Sequence, residues 1–199
     1  GVQRIQVFFH LGATIGGFTL AGRSVPHVAL GNFVLSGIGS LDYTGDRILI
    51  SQPSSGALIS EYATDGKMLR TFGELRPTGH EDDPDLHAAL NAGIPLAGPD
   101  GSYYFVFLGG VPRFRKYDAG GRLVFERHIE GIELDTHIQS LPNTWPRRQT
   151  AGGELPVVPP SVRTAAVAPD GSLWVSLITP HTYVYDAGGD KTRAIEFRG

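Results

Sequence analysis

Short apolar and aromatic runs alternate with turn residues along most of this 199-residue chain. Residues 103–107 (YYFVF) are apolar or aromatic throughout, and residues 173–175 (LWV) follow the same pattern. A strand with one face in water would alternate between apolar and polar residues, whereas a continuous apolar run indicates that both faces are covered. The pattern therefore predicts β-sheets that are packed between neighbouring sheets.

One long motif occurs twice. Residues 99–121 read PDGSYYFVFLGGVPRFRKYDAGG, and residues 169–189 read PDGSLWVSLITPHTYVYDAGG. Pro-Asp-Gly suits a tight turn because Pro fixes φ, Asp bonds its own backbone and Gly accepts positive φ, and Asp-Ala-Gly-Gly has the same character. Weaker copies of the aromatic-x-x-x-Gly half begin at Phe8 and Tyr62. Four strands joined by hairpins, repeated about every 50 residues, predict the blades of a β-propeller.

The repeat also predicts the organisation of the chain as an all-β partial propeller in one domain, residues 1–199. Three blades are complete, over approximately 33–74, 90–130 and 162–198, and RIQVFF and TIGGFTL predict the last two strands of an incomplete blade within 1–22. A propeller needs at least four blades. We therefore expect the rest of the propeller, or another copy of the chain, to cover the exposed blade face, because an open apolar face needs a partner.

Two connections between blades are longer than a propeller requires, over residues 75–91 and 131–161. Each predicts a short helix. The first has Asp83 as N-cap, Pro at the first helical position and Gly93 as a terminator, and the second has Asp135 capping a turn or two before Pro142. Long insertions of this kind lie on the rim of a propeller and more often shape a binding surface than a core.

GIPLAGPDGSYYFV followed by KYDAGGRLV resembles the NHL-type repeats of six-bladed β-propellers, and RTFGELRPTG (70–79) resembles the run that links one such blade to the next. The resemblance covers the chain from about Phe33 to the C-terminus. It implies a six-bladed propeller of an uncharacterised bacterial type. Many relatives of this repeat are exported, so the resemblance also implies a periplasmic or secreted location. It says almost nothing about activity, because the architecture carries many functions.

Composition excludes several classes of partner. The net charge of −3 argues against a nucleic-acid partner, which would require a concentrated basic surface. The chain has no cysteine, so it can form neither a disulfide framework nor a thiolate metal site. No run approaches the roughly 18 consecutive apolar residues of a membrane span. The expected partner is thus a small molecule or a protein.

The segment HEDDPDLH (80–87) is the densest polar cluster in the sequence. His80, Asp82, Asp83 and His87 offer imidazole and carboxylate ligands for a divalent metal. Their spacing matches neither a calcium loop nor the His pair of a zinc helix. Two interpretations stay open: a solvated loop with a helix cap, or a metal site.

Other candidate ligand-binding residues lie on the predicted inner strands and in the second linker. Asn91, Arg163 and Thr164 stand near ends of inner strands that could face the propeller axis. Trp145 and Arg147, in a Pro-bounded loop, could clamp an anionic or aromatic ligand, or the Trp ring could pack on the edge of a blade.

These observations favour a non-enzymatic binding or scaffold propeller without a cofactor, and they identify no catalytic residue. The alternative is a lactonase- or lyase-like enzyme with Ca²⁺ or another divalent cation near the axis, most of whose site lies in missing blades. Such an enzyme needs several polar side chains converging on the axis. Convergence of three or more of them is therefore the geometric test between the two functions.

Overall fold

The computed structural model describes residues 4–8, 14–19, 23–29, 41–44, 46–150 and 153–197. In these residues the strands form three four-stranded sheets, one three-stranded sheet and one two-stranded hairpin, all antiparallel, and there are two short α-helices. The predicted all-β propeller class is confirmed. The strands are β1 Arg4–Phe8, β2 Thr14–Thr19, β3 Ser24–Ala29, β4 Leu41–Tyr43, β5 Arg47–Ser51, β6 Ile59–Ala63, β7 Met68–Phe72, β8 Gly93–Ala97, β9 Tyr103–Phe107, β10 Arg113–Tyr117, β11 Leu123–His128, β12 Arg147–Thr150, β13 Gly153–Pro156, β14 Val162–Val167, β15 Leu173–Leu177, β16 His181–Tyr185 and β17 Lys191–Glu196.

The three four-stranded sheets are meanders whose strand order follows the sequence: β4-β5-β6-β7, β8-β9-β10-β11 and β14-β15-β16-β17. The first strand β8 of the second sheet contacts the first strands β4 and β14 of the sheets on either side. The sheets are therefore stacked as successive blades with their first strands adjacent, as in a propeller. We call them the first, second and third blades.

The duplicated motif forms the same two hairpins in the second and third blades. In the first hairpin turn, Gly98 N donates to Ser102 O at 2.7 Å and Ala168 N donates to Ser172 O at 2.9 Å. Asp100 and Asp170 each accept hydrogen bonds from the backbone and hydroxyl of the serine two residues later. The repeat thus encodes turn chemistry that fixes strand register in both blades.

Apolar side chains fill the two spaces between blades. Between the first and second blades, Leu49 and Ile59 pack against Phe105 and Phe107. Between the second and third blades, the packed side chains are aromatic or aliphatic and include Tyr104, Val106, Phe114, Val175 and Tyr183. All five residues of β9 are buried, which confirms the predicted coverage of both its faces.

Two sequence expectations about the outer sheets need correction. The incomplete sheet has three strands rather than two, because Ser24–Ala29 pairs with β2 beyond the predicted segments. In the third blade, Trp174 and Ser176 alternate with buried residues and are only partly buried. Of this strand, only the face of Leu173, Val175 and Leu177 belongs to the core shared with the second blade.

The linkers contain helix α1 (Pro84–Leu90), helix α2 (Ile132–Gln139) and the hairpin β12–β13. Asp83 caps α1 as predicted, but the helix ends at Leu90 with Asn91 as its C-cap, and Gly93 instead opens β8. Helix α2 begins at Ile132, so Asp135 lies inside its first turn rather than at its N-cap. The sequence pattern did not predict the hairpin.

The connections alternate between the two ends of each meander. The tight Gly-containing turns between first and second strands and between third and fourth strands lie at one end, here called the turn face. At the other end, the loop face, lie the loops between second and third strands and the described residues of both linkers; these are residues 52–58, 73–92, 108–112, 129–150, 153–161 and 178–180. A β-bridge between Gly109 and Pro160 joins a loop to a linker there.

Candidate functional site

Asp83 joins helix α1 to the inserted hairpin on the loop face. Its Oδ1 accepts a hydrogen bond from Leu86 N at 3.2 Å, which caps the helix, and its Oδ2 accepts one from Arg147 Nη2. Arg147 Nη1 also donates to Glu154 O across the hairpin. The hydrogen bond from Arg147 holds the pKa of Asp83 below its usual range. The predicted ligand-binding residue Arg147 is therefore paired with a predicted metal ligand.

Buried Ser161 attaches the end of the second linker to the second blade. Ser161 N donates to Leu108 O at 2.7 Å, and its hydroxyl donates to Gly110 O at 2.6 Å. His137 of α2 lies with Nε2 2.8 Å from the same hydroxyl, and because that hydroxyl already donates its proton, Nε2 donates to it. The pair does not have the arrangement of a serine nucleophile and its base, since the serine is fully buried and its proton is directed at a carbonyl.

The four residues proposed as metal ligands do not converge. Asp83 is occupied as described, and His87 Nδ1 lies 2.7 Å from the hydroxyl of Thr78. His80 and Asp82 belong to the turns that precede α1. Among the residues that the structure describes, no group of three or more His, Cys, Asp or Glu side chains is arranged to hold a metal ion. The geometry of this segment is that of a loop with a helix cap.

Two of the proposed axial residues, Asn91 and Arg163, are bonded to main-chain groups. Asn91 is buried, and its amide makes three hydrogen bonds to main-chain groups of Arg76 and His87, at 2.9, 3.2 and 3.0 Å. Arg163 donates to Ile178 O at 3.0 Å, and Thr164 is exposed beside it. The carboxylate on the innermost strand of the first blade, Asp42, accepts from Ala97 N at 2.9 Å and so connects two inner strands.

Among the described residues of the two linkers, three large apolar side chains are exposed on the loop face, and the sequence analysis did not identify them. Ile132 at the start of α2 is 86% exposed, and Leu155 and Val157 at the end of the hairpin are 43% and 40% exposed. Trp145, which precedes the hairpin, is partly buried. The sequence feature that could have identified them is the presence of apolar residues in a linker, outside the predicted blade strands. All three lie in the second linker, between the second and third blades.

Within the described part of the chain, neither helix has the length and apolarity that crossing a bilayer requires.

No protein-family model matches the sequence, and no curated protein matches it. Solved structures do resemble the fold. A protein of unknown function from Bacteroides caccae matches all of this chain and 60% of its own, with a TM-score of 0.53 and 16% identity. Sqt1 of Saccharomyces cerevisiae matches 93% of this chain and 43% of its own, with a TM-score of 0.54 and 13% identity. These likenesses show a propeller-like fold alone, and the chain spans about 60% and 43% of the two structures it resembles.

Proposed function

We propose that this protein is a non-enzymatic binding or scaffold propeller that uses its loop face to bind a partner. The observation that carries this proposal is the exposure of Ile132, Leu155 and Val157 on elements inserted between blades. These elements are held in place by the Asp83–Arg147 pair and by buried Ser161. A fixed surface binds at a lower entropic cost than a mobile one, which supports a role in recognition.

The finer features of the proposal follow from the sequence resemblance. The chain is proposed to be part of a six-bladed ring with NHL-type repeats, from a bacterial protein that acts outside the cytoplasm. The likeness to longer structures, of which the chain spans 60% and 43%, is in keeping with a larger ring. In such a ring the partly exposed side of the third blade, which includes Trp174, would pack against a further blade.

The enzymatic alternative receives less support. A lactonase- or lyase-like site needs axial carboxylates and amides that are free to bind a cation or substrate. Asp42 is the carboxylate on the described inner strands, and its oxygens accept from the backbone of Tyr43 and Ala97. Asn91 is likewise occupied by main-chain groups. Asp42 and Asn91 therefore stabilise the backbone around them.

Site-specific photo-cross-linking tests the proposed function. A photoreactive phenylalanine analogue at position 155 on the loop face is compared with one at position 123 near the turn face, because Leu155 and Leu123 are similarly exposed, at 43% and 53%. In the cells that make the protein, we expect a discrete adduct at position 155 that an excess of the unmodified chain abolishes. Equal labelling from both positions, or none from position 155, would contradict the proposal.

A further inference from the structure

The inserted hairpin β12–β13 has two strand edges that differ in their surroundings. Among the described residues, these strands pair only with each other, so each has one edge without a strand partner. Strand β13 contacts helix α1, whereas β12 is exposed over residues 147–149. An exposed strand edge presents main-chain N–H and C=O groups with which another chain can pair.

The register of the hairpin identifies the main-chain groups on the edge of β12. Val157 N donates to Pro146 O at 2.7 Å, so these two residues form a hydrogen-bonded pair. Hydrogen-bonded and non-hydrogen-bonded pairs alternate along an antiparallel ladder, so the N–H and C=O groups of Arg147 and Gln149 point away from β13. Within the described part of the chain, no other residue hydrogen-bonds to these groups. They are therefore available to a third strand.

The edge of β13 is protected against such pairing. The same alternation places Glu154 and Pro156 on its outer side. Pro156 has no N–H to donate, and Glu154 O already accepts a hydrogen bond from Arg147 Nη1 at 3.2 Å. Proline is a usual protection of an exposed strand edge. The hairpin thus leaves only its β12 side open to a partner strand.

The charge on β12 favours one kind of partner strand. Arg147 is bonded to Asp83, but Arg148 is exposed and belongs to no ion pair among the described residues. Opposite charges on neighbouring strands stabilise a sheet, and like charges destabilise it. A second copy of β12 would bring further arginines to this edge, whereas an acidic strand would complement it. The outer blade strands β11 and β17 contain Glu126 and Glu196, which disfavour an acidic strand there.

We propose that the open edge of β12 binds an extended acidic peptide segment of a protein partner by β-strand addition. Main-chain hydrogen bonds to Arg147 and Gln149 provide the affinity, and a carboxylate beside Arg148 provides the selectivity. Leu155 and Val157 lie on the same face of the hairpin as Arg148, since Arg148 pairs with Leu155 and side chains alternate between faces. Residues of the partner that flank the added strand cover these exposed side chains. The inference rests on the proposed function, because it names the class of partner that the loop face binds.

Matched synthetic peptides test the strand addition. Each alternates valine and threonine, and they differ only at one central residue, which is Glu, Gln or Lys. Fluorescence polarisation with the full chain gives Kd, and amide hydrogen exchange reports individual N–H groups. At a peptide concentration of about ten times Kd, exchange at Arg147 and Gln149 should slow by about tenfold, since bound protein is protected. The Glu peptide should bind about threefold more tightly than the Gln peptide, and the Lys peptide most weakly.

Gln149→Pro removes an outward N–H that the hairpin ladder does not use, so it should weaken binding of the Glu peptide by about fivefold or more. Glu154→Pro is the matched control, because Glu154 pairs with Gln149 and its N–H lies on the protected edge. Its affinity should equal that of the unmodified protein. In both variants, slow exchange of the Val157 amide, which donates to Pro146 O, shows that the hairpin is formed.

Unchanged affinity in Gln149→Pro, or unchanged exchange at Arg147 and Gln149 with every peptide, would overturn the strand addition. Neither result would remove an adduct at position 155. Conversely, absence of that adduct would not alter the exchange measured with the peptides. The two proposals therefore fail separately.

Discussion

Glu61 is a fully buried carboxylate at the boundary between the first and second blades. It accepts hydrogen bonds from Arg47 at 2.7 Å and Arg70 at 2.5 Å, and the hydroxyl of Tyr103 in the second blade donates to it at 3.3 Å. Burial by itself would raise the pKa of Glu61, but the hydrogen bonds from the two arginines outweigh it and lower that pKa below its usual value. No local pattern along the chain indicates this network, because its members come from four strands of two blades.

Glu61→Gln should lower the free energy of unfolding by roughly 3 kcal/mol at neutral pH, the low end for a broken buried pair, since both arginines are partly exposed. Because the pKa of Glu61 is depressed on folding, its stabilisation is fully present above its unfolded value of 4.5 and is lost as the pH falls through the folded value. The difference between the two proteins should therefore shrink below about pH 4.5 in denaturant titrations. Exposed Glu74→Gln is the control, and a difference that persists unchanged at low pH would refute the assignment.

At the scale of elements, the success of sequence prediction depended on whether an element was stabilised locally. Helix α1 was predicted because its cap and its N-terminal proline are local signals, and Asp83 occupies the predicted position. The blade strands were predicted for the same reason, through the turn residues that join them. The hairpin β12–β13 was missed because its strands are polar and mostly exposed, and it packs against α1. The hairpin is stabilised by tertiary contacts, and the sequence RRQT of β12 shows no alternation of apolar and polar residues that would predict a strand.

The contact between α1 and the hairpin leads to a prediction about local opening. Asp83→Ala removes both the helix cap and the partner of Arg147, so amide hydrogen exchange should become faster in α1 and in β12–β13 together. Asp82→Ala, one residue away and exposed, should leave both unchanged. Combining Asp83→Ala with Arg147→Gln should add little in the hairpin, because either change breaks the same pair. Faster exchange confined to α1 would show that the ion pair does not couple the two elements.

At the scale of the whole molecule, the repeat is explained by contacts between blades rather than within them. The Asp-Ala-Gly-Gly turns of the second and third blades are each contacted by the blade before them. Arg70 donates to Ala119 O at 3.1 Å, and Lys116 donates to Ala187 O at 3.0 Å, which are equivalent carbonyls in the two copies. Each of these two turns presents the same carbonyl and the same small residue to the blade before it. This shared contact explains why the two turns have the same sequence. The sequence alone showed that the turn recurs, and the packing shows what selects it.

Gly121 and Gly189 close these turns with φ of 82° and 87°, and a Cβ at either would lie within 3 Å of an aromatic ring in the preceding blade, Phe72 or Phe125. Substitution by Ala at either position should therefore combine backbone strain of about 1–3 kcal/mol with a steric clash between blades. Gly56 has a φ of 87° and no atom within 4 Å of a built Cβ, so Gly56→Ala carries the strain alone. In thermal and denaturant unfolding, both turn variants should lose more stability than Gly56→Ala. If all three lost the same amount, the glycines would be required by the turn alone, and the explanation of the repeat by packing between blades would fail.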